Sequence, residues 1–155
     1  HFRLVEPSTS GGYLGRQHVA RALWTVDADR DGRVDVMVTH QGEPLALLAN
    51  ETESENAWLR VRLVGRSVAR DPVGATVSIR WDRATRMAPL VSGDGFYCRN
   101  ESVLHFGLGP VSEEQEIAVS VDWPNGQTQT VRAKPNEELL VVQNELEPFV
   151  LNRSE

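Results

Sequence analysis

Asp27-Ala28-Asp29-Arg30-Asp31-Gly32-Arg33-Val34-Asp35-Val36-Met37-Val38-Thr39 sets four carboxylates on alternating positions around one glycine and then runs into β-branched residues. Carboxylates crowded at this density repel one another unless a cation shields them. Val34 to Thr39 has the composition of a strand, not of a helix. The stretch therefore reads as a tight loop entering a β-strand, with Asp35 already on the strand, and the surrounding fold is expected to be β.

The donor set selects the ion. Calcium takes about six to eight oxygen ligands in a tolerant geometry, magnesium gives up its water reluctantly, and zinc prefers nitrogen and sulfur. The loop offers neither thiolate nor imidazole, so Ca2+ is the expected cofactor. Side-chain ligation is assigned to Asp27, Asp29, Asp31 and Asp35, a backbone carbonyl to Arg33, and the positive-φ turn to Gly32, with water completing the shell. An EF-hand opens the same way but closes on a bidentate Glu at its twelfth position, which Val38 occupies here. The plainer alternative is an acidic hairpin tip that binds nothing.

Working outward, residues 1–17 contain Pro7, Ser8, Thr9, Ser10, Gly11 and Gly12 and read as a lead-in loop. Residues 18–26 deliver the chain to the loop as a strand, 34–39 leave it, and 45–49 follow a Gly-Pro turn as a third strand. So short an antiparallel unit buries little by itself and needs a neighbouring layer. Residues 52–56 are a polar, acidic linker. Beyond it, Leu59, Val61 and Leu63 face one way and Arg60, Arg62 and Val64 the other. Ala75, Val77, Ile79 and Trp81 repeat the pattern, as do Ile117, Val119, Val121 and Trp123. Further strands are expected at 83–90, 103–106 (stopped by Gly107-Leu108-Gly109-Pro110), 128–131 and 139–142, with a turn at Pro124-Asn125-Gly126. Residues 57–147 thus read as a β-sandwich and 148–155 as a frayed tail. The fold class is all-β: a small antiparallel calcium-loop unit packed on or linked to a β-sandwich.

The formal charge of -6 is concentrated, with 5 basic and 9 acidic side chains in residues 1–56. No basic stripe is present, which argues against nucleic acid as a partner. A single cysteine, Cys98, allows no internal disulfide and no cysteine-based zinc site. A calcium site of moderate affinity is filled outside the cell and mostly empty in cytosol, so an extracellular, periplasmic or cell-surface location is expected. No membrane span or signal peptide is evident in the sequence. Asn50, Asn100 and Asn152 head N-x-S/T triplets.

With these residues in view, residues 18–51 resemble an FG-GAP or VCBS-type repeat, a propeller blade whose D-x-D-x-D-G-x-x-D loop binds calcium in that family. Residues 57–147 resemble the ASPIC/UnbV domain of the cartilage acidic protein family. The stretches that carry the second likeness are Trp58-Leu59-Arg60-Val61-Arg62-Leu63, Asp71-Pro72-Val73-Gly74-Ala75, Ser92-Gly93-Asp94-Gly95-Phe96, Leu104-His105-Phe106-Gly107-Leu108-Gly109 and Val121-Asp122-Trp123-Pro124-Asn125-Gly126. The resemblance implies calcium binding for the first part, no catalytic residues for the second, and membership of a longer propeller-containing chain. A free cysteine at position 98 departs from the family pattern.

Catalysis has little to build on. Cys98 with His105 as base lacks any sign of an activated thiol, and His18, His40 and His105 lack zinc-site spacing. Asp82, Asp94, Glu101 and Asp122 could supply a glycosidase pair but are ordinary surface acids. Three of the four tryptophans fall on apolar strand faces, which favours core packing over a sugar platform. The expected function is a non-enzymatic, calcium-binding extracellular β module for adhesion or protein interaction, its partner an extracellular protein or glycan. The alternative is a carbohydrate-binding or carbohydrate-processing domain.

Overall fold

A computed structural model describes residues 12–93 and 98–151. Every regular element among them is a strand. Three form the first unit: β1 (Ala20–Val26), β2 (Asp35–His40) and β3 (Ala46–Leu48), an antiparallel sheet ordered β1-β2-β3. The remainder, β4 (Ala57–Val64), β5 (Thr76–Trp81), β6 (Ala84–Pro89), β7 (Val103–Gly109), β8 (Ile117–Asp122), β9 (Thr128–Ala133), β10 (Glu137–Val142) and β11 (Phe149–Val150), makes two four-stranded sheets. Their orders are β11-β10-β4-β7 and β6-β5-β8-β9.

The two sheets pack face to face because three strands alternate cleanly. Leu59 and Val61 on β4, Val77 and Ile79 on β5, and Ile117, Val119 and Val121 on β8 are all fully buried and belong to one apolar cluster. Burying a Val, Leu or Ile side chain contributes about 1.5–3 kcal/mol, so these seven positions dominate the stability of the sandwich. Leu139 and Val141 join them from β10, which pairs with β4 in parallel, Glu137 beside Leu59 and Val142 beside Val64. At the expected Pro-Asn-Gly turn, the Gly126 N–H donates to the Trp123 carbonyl at 2.9 Å.

Three details differ from the sequence reading. β7 continues through Gly107, Leu108 and Gly109 because Leu108 is buried and anchors it, and a register shift between Ala57 and Trp58 accommodates the extra length. In the expected tail 148–155, Phe149 and Val150 pair with Leu140 and Leu139 and extend the sheet. Arg60 takes the face opposite the core, as read, yet its burial to 3% exposure was not in the pattern: the loop after β1 covers that face of β4. Phe96 and Asp94 lie outside the described residues. No helix among the described residues is long and apolar enough to cross a membrane.

The first unit has almost no core of its own. Val38 is its one buried hydrophobic side chain among the described residues, whereas Leu23, Leu45 and Leu47 are about half exposed. Its outer edge is tied to the sandwich: the Thr25 N–H donates to Asn100 Oδ1 at 2.8 Å, and the Cys98 thiol donates to the Leu23 carbonyl at 3.3 Å.

Candidate metal centre

Three of the four loop carboxylates converge. One oxygen from each of Asp27, Asp29 and Asp35 lies within 4.8 Å of the other two, with Asp27 and Asp35 buried and Asp29 exposed. The hairpin does the gathering. Asp27 follows directly on Val26, which is paired with Asp35, so the two carboxylates leave neighbouring strand ends. Between them the chain turns through local side-chain-to-backbone bonds: Asp29 Oδ1 accepts from the Asp31 N–H at 3.2 Å, and Asp31 Oδ1 accepts from the Arg33 N–H at 2.7 Å. Such Asx turns are what closely spaced aspartates favour.

Gly32 has the expected positive φ, +86°, and a second reason to be glycine. A Cβ at this position would run into the indole of Trp58, so the loop backs directly onto the first strand of the sandwich. Its N–H donates to Asp27 Oδ2 at 3.0 Å. Asp35 is held from both sides, Oδ2 by the Ala28 N–H at 2.9 Å and Oδ1 by the Asn50 N–H at 2.7 Å.

One of the expected ligands sits differently. Asp31 is outside the group of three, its carboxylate paired with the Arg33 guanidinium. Arg33 turns its Nε to the Asn50 carbonyl at 2.6 Å, tying the loop to the end of the unit.

The electrostatics of Asp27 are unusual. Its Oδ2 accepts from both Gly32 and Arg60 Nη1, the latter at 2.7 Å, while its Oδ1 is buried with no hydrogen-bond partner among the described residues. A buried acceptor left without a proton donor costs about 1–3 kcal/mol, and more when charged. A cation beside Oδ1 would offset that cost. The donor set, all oxygen and partly charged, fits a hard divalent ion such as calcium.

Behind Asp27 stands an ionic network that sequence reading did not find. Arg60 Nη2 meets Glu101 Oε1 at 2.6 Å and its Nη1 lies 3.4 Å from Glu138 Oε2. Arg62 closes the ring through Glu138 at 2.6 Å and Glu101 at 2.9 Å. Partial burial works against the charge of Arg62, but Glu138 and Glu101 more than compensate and raise its pKa. A cavity of about 50 Å3, lined by Thr25, Val26, Asp27, Arg60, Glu101 and His105 among others, lies between the two units. Burial, reinforced by the charge of Arg60, lowers the pKa of His105, while Asp27 and Glu101 pull it the other way. The only sequence signal for this cluster was the arginine pair 60 and 62 on an otherwise apolar strand.

The remaining candidates resolve into structural roles. His105 stacks on Trp58 with ring centroids 6.2 Å apart, and the Cys98 thiol is engaged by the Leu23 carbonyl. His18 and His40 form an aromatic cluster with Tyr13, His18 bonding Glu43 at 2.8 Å and His40 the Pro44 carbonyl at 2.9 Å. Trp81 and Trp123 are buried in the sandwich.

Residues 65–147 match the family described as ASPIC and UnbV. Over 129 residues, 79% of this chain, the sequence is 32% identical to cartilage acidic protein 1 of Homo sapiens, and over the same span 31% identical to its Mus musculus counterpart. Cartilage acidic protein 1 of Xenopus tropicalis is 31% identical over 106 residues, 64% of this chain. The aligned parts make up 19%, 19% and 16% of these relatives, so the chain spans less than a fifth of their length.

Proposed function

Since the chain belongs to the ASPIC and UnbV family, we propose that it is a non-enzymatic, calcium-binding β module of an extracellular protein, in which the ion clamps the loop of the first unit against the sandwich. Two observations carry this reading: the carboxylates of Asp27, Asp29 and Asp35 converge, and Asp27 Oδ1 is buried with no hydrogen-bond partner among the described residues. Asp31 and the Arg33 carbonyl, together with water, would supply the further oxygens calcium needs. On this reading the first unit is one FG-GAP or VCBS-type repeat. Its exposed Leu45 and Leu47 then pack on neighbouring repeats of a longer propeller-containing chain. The length of the relatives fits a longer parent chain, and the name cartilage acidic protein 1 supports an extracellular location. The carbohydrate alternative has less to stand on, because Trp81 and Trp123 are buried away from any ligand.

The test is isothermal titration of the chelator-treated chain with CaCl2 and, separately, MgCl2, for the wild type and for Asp27→Asn and Asp35→Asn. Calcium binding that is lost or greatly weakened in both variants is expected, with magnesium the poorer ligand. A folded wild-type chain that takes up no calcium at millimolar concentration rules the reading out.

A further inference from the structure

We propose that Arg60, a sandwich residue, is the positioning residue of the cation site, so that the site is shared between the two units and ion binding is coupled to their docking. This inference rests on the calcium reading above. A carboxylate can offer one or both oxygens to calcium, but in Asp27 one of them is already committed. Arg60 Nη1 and the Gly32 N–H together take Oδ2, and Oδ1 is the one left over. The orientation of the buried carboxylate is thus set from outside the loop, by a side chain that itself has only 3% exposure and little freedom to move.

A guanidinium beside a cation site should repel the cation. The network removes that objection. Leaving Asp27 aside, Arg60 and Arg62 carry two positive charges and Glu101 and Glu138 carry two negative ones, all joined at 2.6–3.4 Å. The cluster behind Asp27 is formally neutral, so Arg60 can fix geometry without presenting net charge to the ion. Groups that orient a ligand in this way typically contribute about 10–100-fold to metal affinity.

Coupling follows from the same contacts. The Asp27–Arg60 ion pair, the close approach of Gly32 to Trp58 and the Thr25–Asn100 bond all cross between the units. An ion that organises Asp27 favours the docked arrangement, and docking in turn supplies the residue that orients Asp27. By linkage the two effects are equal. Cys98, the chain's single thiol, sits at that boundary against the Leu23 carbonyl and reports on it.

Arg60→Met keeps the length of the side chain and removes the charge and donors. Calcium affinity by titration calorimetry is expected to fall at least 10-fold, against the rise that simple removal of a positive charge would give. Arg60→Lys, which keeps the charge but cannot span Asp27 and Glu101 together, is expected to fall between. In the wild type, alkylation of Cys98 should be slower with calcium than with chelator; in Arg60→Met this difference should vanish. A folded Arg60→Met chain that binds calcium as tightly as wild type, or more tightly, overturns the proposal. Should that variant not fold, Arg60→Lys decides: affinity at least 2-fold weaker than wild type supports it, and equal or greater affinity overturns it. A wild-type chain that binds no calcium overturns the calcium reading itself, and is told apart because Asp27→Asn then changes nothing either.

Discussion

The two units of this molecule are held together by opposite means. The sandwich has seven fully buried aliphatic residues on β4, β5 and β8 alone and is built around that apolar cluster. The three-stranded unit has one buried hydrophobic side chain among the described residues and depends on bonds from Asp27, Asp35 and Asn50, and on Arg60 of its neighbour. A β unit too small to build a core can be ordered by charge and hydrogen bonding where a larger partner provides a fixed surface. Its stability then rests on polar contacts, where the sandwich's rests on apolar burial.

The largest effect should come from the sandwich. Leu59→Ala is expected to cost about 2–5 kcal/mol and to unfold both units together, as read by urea denaturation with tryptophan fluorescence. Partial retention of the first unit after the sandwich has melted would break the comparison. If the loop holds calcium as proposed, its withdrawal should act on the first unit alone. At a free concentration a hundred times its dissociation constant a ligand stabilises by about 2.7 kcal/mol, so chelator should raise amide hydrogen exchange in β1 and β2 while leaving β5 and β8 protected. Uniform loss of protection would show that the ion supports the whole molecule.

Gly32→Ala sharpens the point at a single residue. The φ of +86° and the indole of Trp58 both oppose a Cβ, and strain of this kind costs about 1–3 kcal/mol. Thermal melting should show the loss in the first unit, with the sandwich transition unmoved. The smallest effect concerns His105. Its folded-state pKa lies below the ordinary value because burial and Arg60 disfavour the charged ring. Its contribution is therefore complete above the unfolded pKa of about 6.5 and is lost as pH falls below it. Stability should decline between pH 7.5 and 5.5, and His105→Gln should flatten that slope. An unchanged slope would place the titration elsewhere.

Much of the sandwich was legible because its strands have one apolar and one polar face, and a period of two assigns each residue to a side. Leu59 to Leu63, Val77 to Trp81 and Ile117 to Val121 were read correctly for that reason. The same rule put Arg60 on the right face but said nothing of its burial: alternation says which face a side chain takes, not what later covers that face. The convergence of Asp27, Asp29 and Asp35 followed from spacing alone, whereas Asp31 went to its neighbour Arg33 through a choice of side-chain torsion that sequence does not encode. Gln143, fully buried with its Oε1 accepting the Arg66 and Ser67 N–H groups, left no trace in the pattern. Nor could a two-residue strand such as β11 be seen, since it is defined by its partner.

The parallel pairing of β4 with β10 bears on how the chain is made. Trp58 bonds to Asn136, 78 positions further on, so during synthesis β4 emerges long before the strand that closes its flank. Contacts this distant in sequence form slowly. Until residue 142 has left the ribosome, the backbone edge of β4 that β10 covers stays unpaired and open to the strands of other chains.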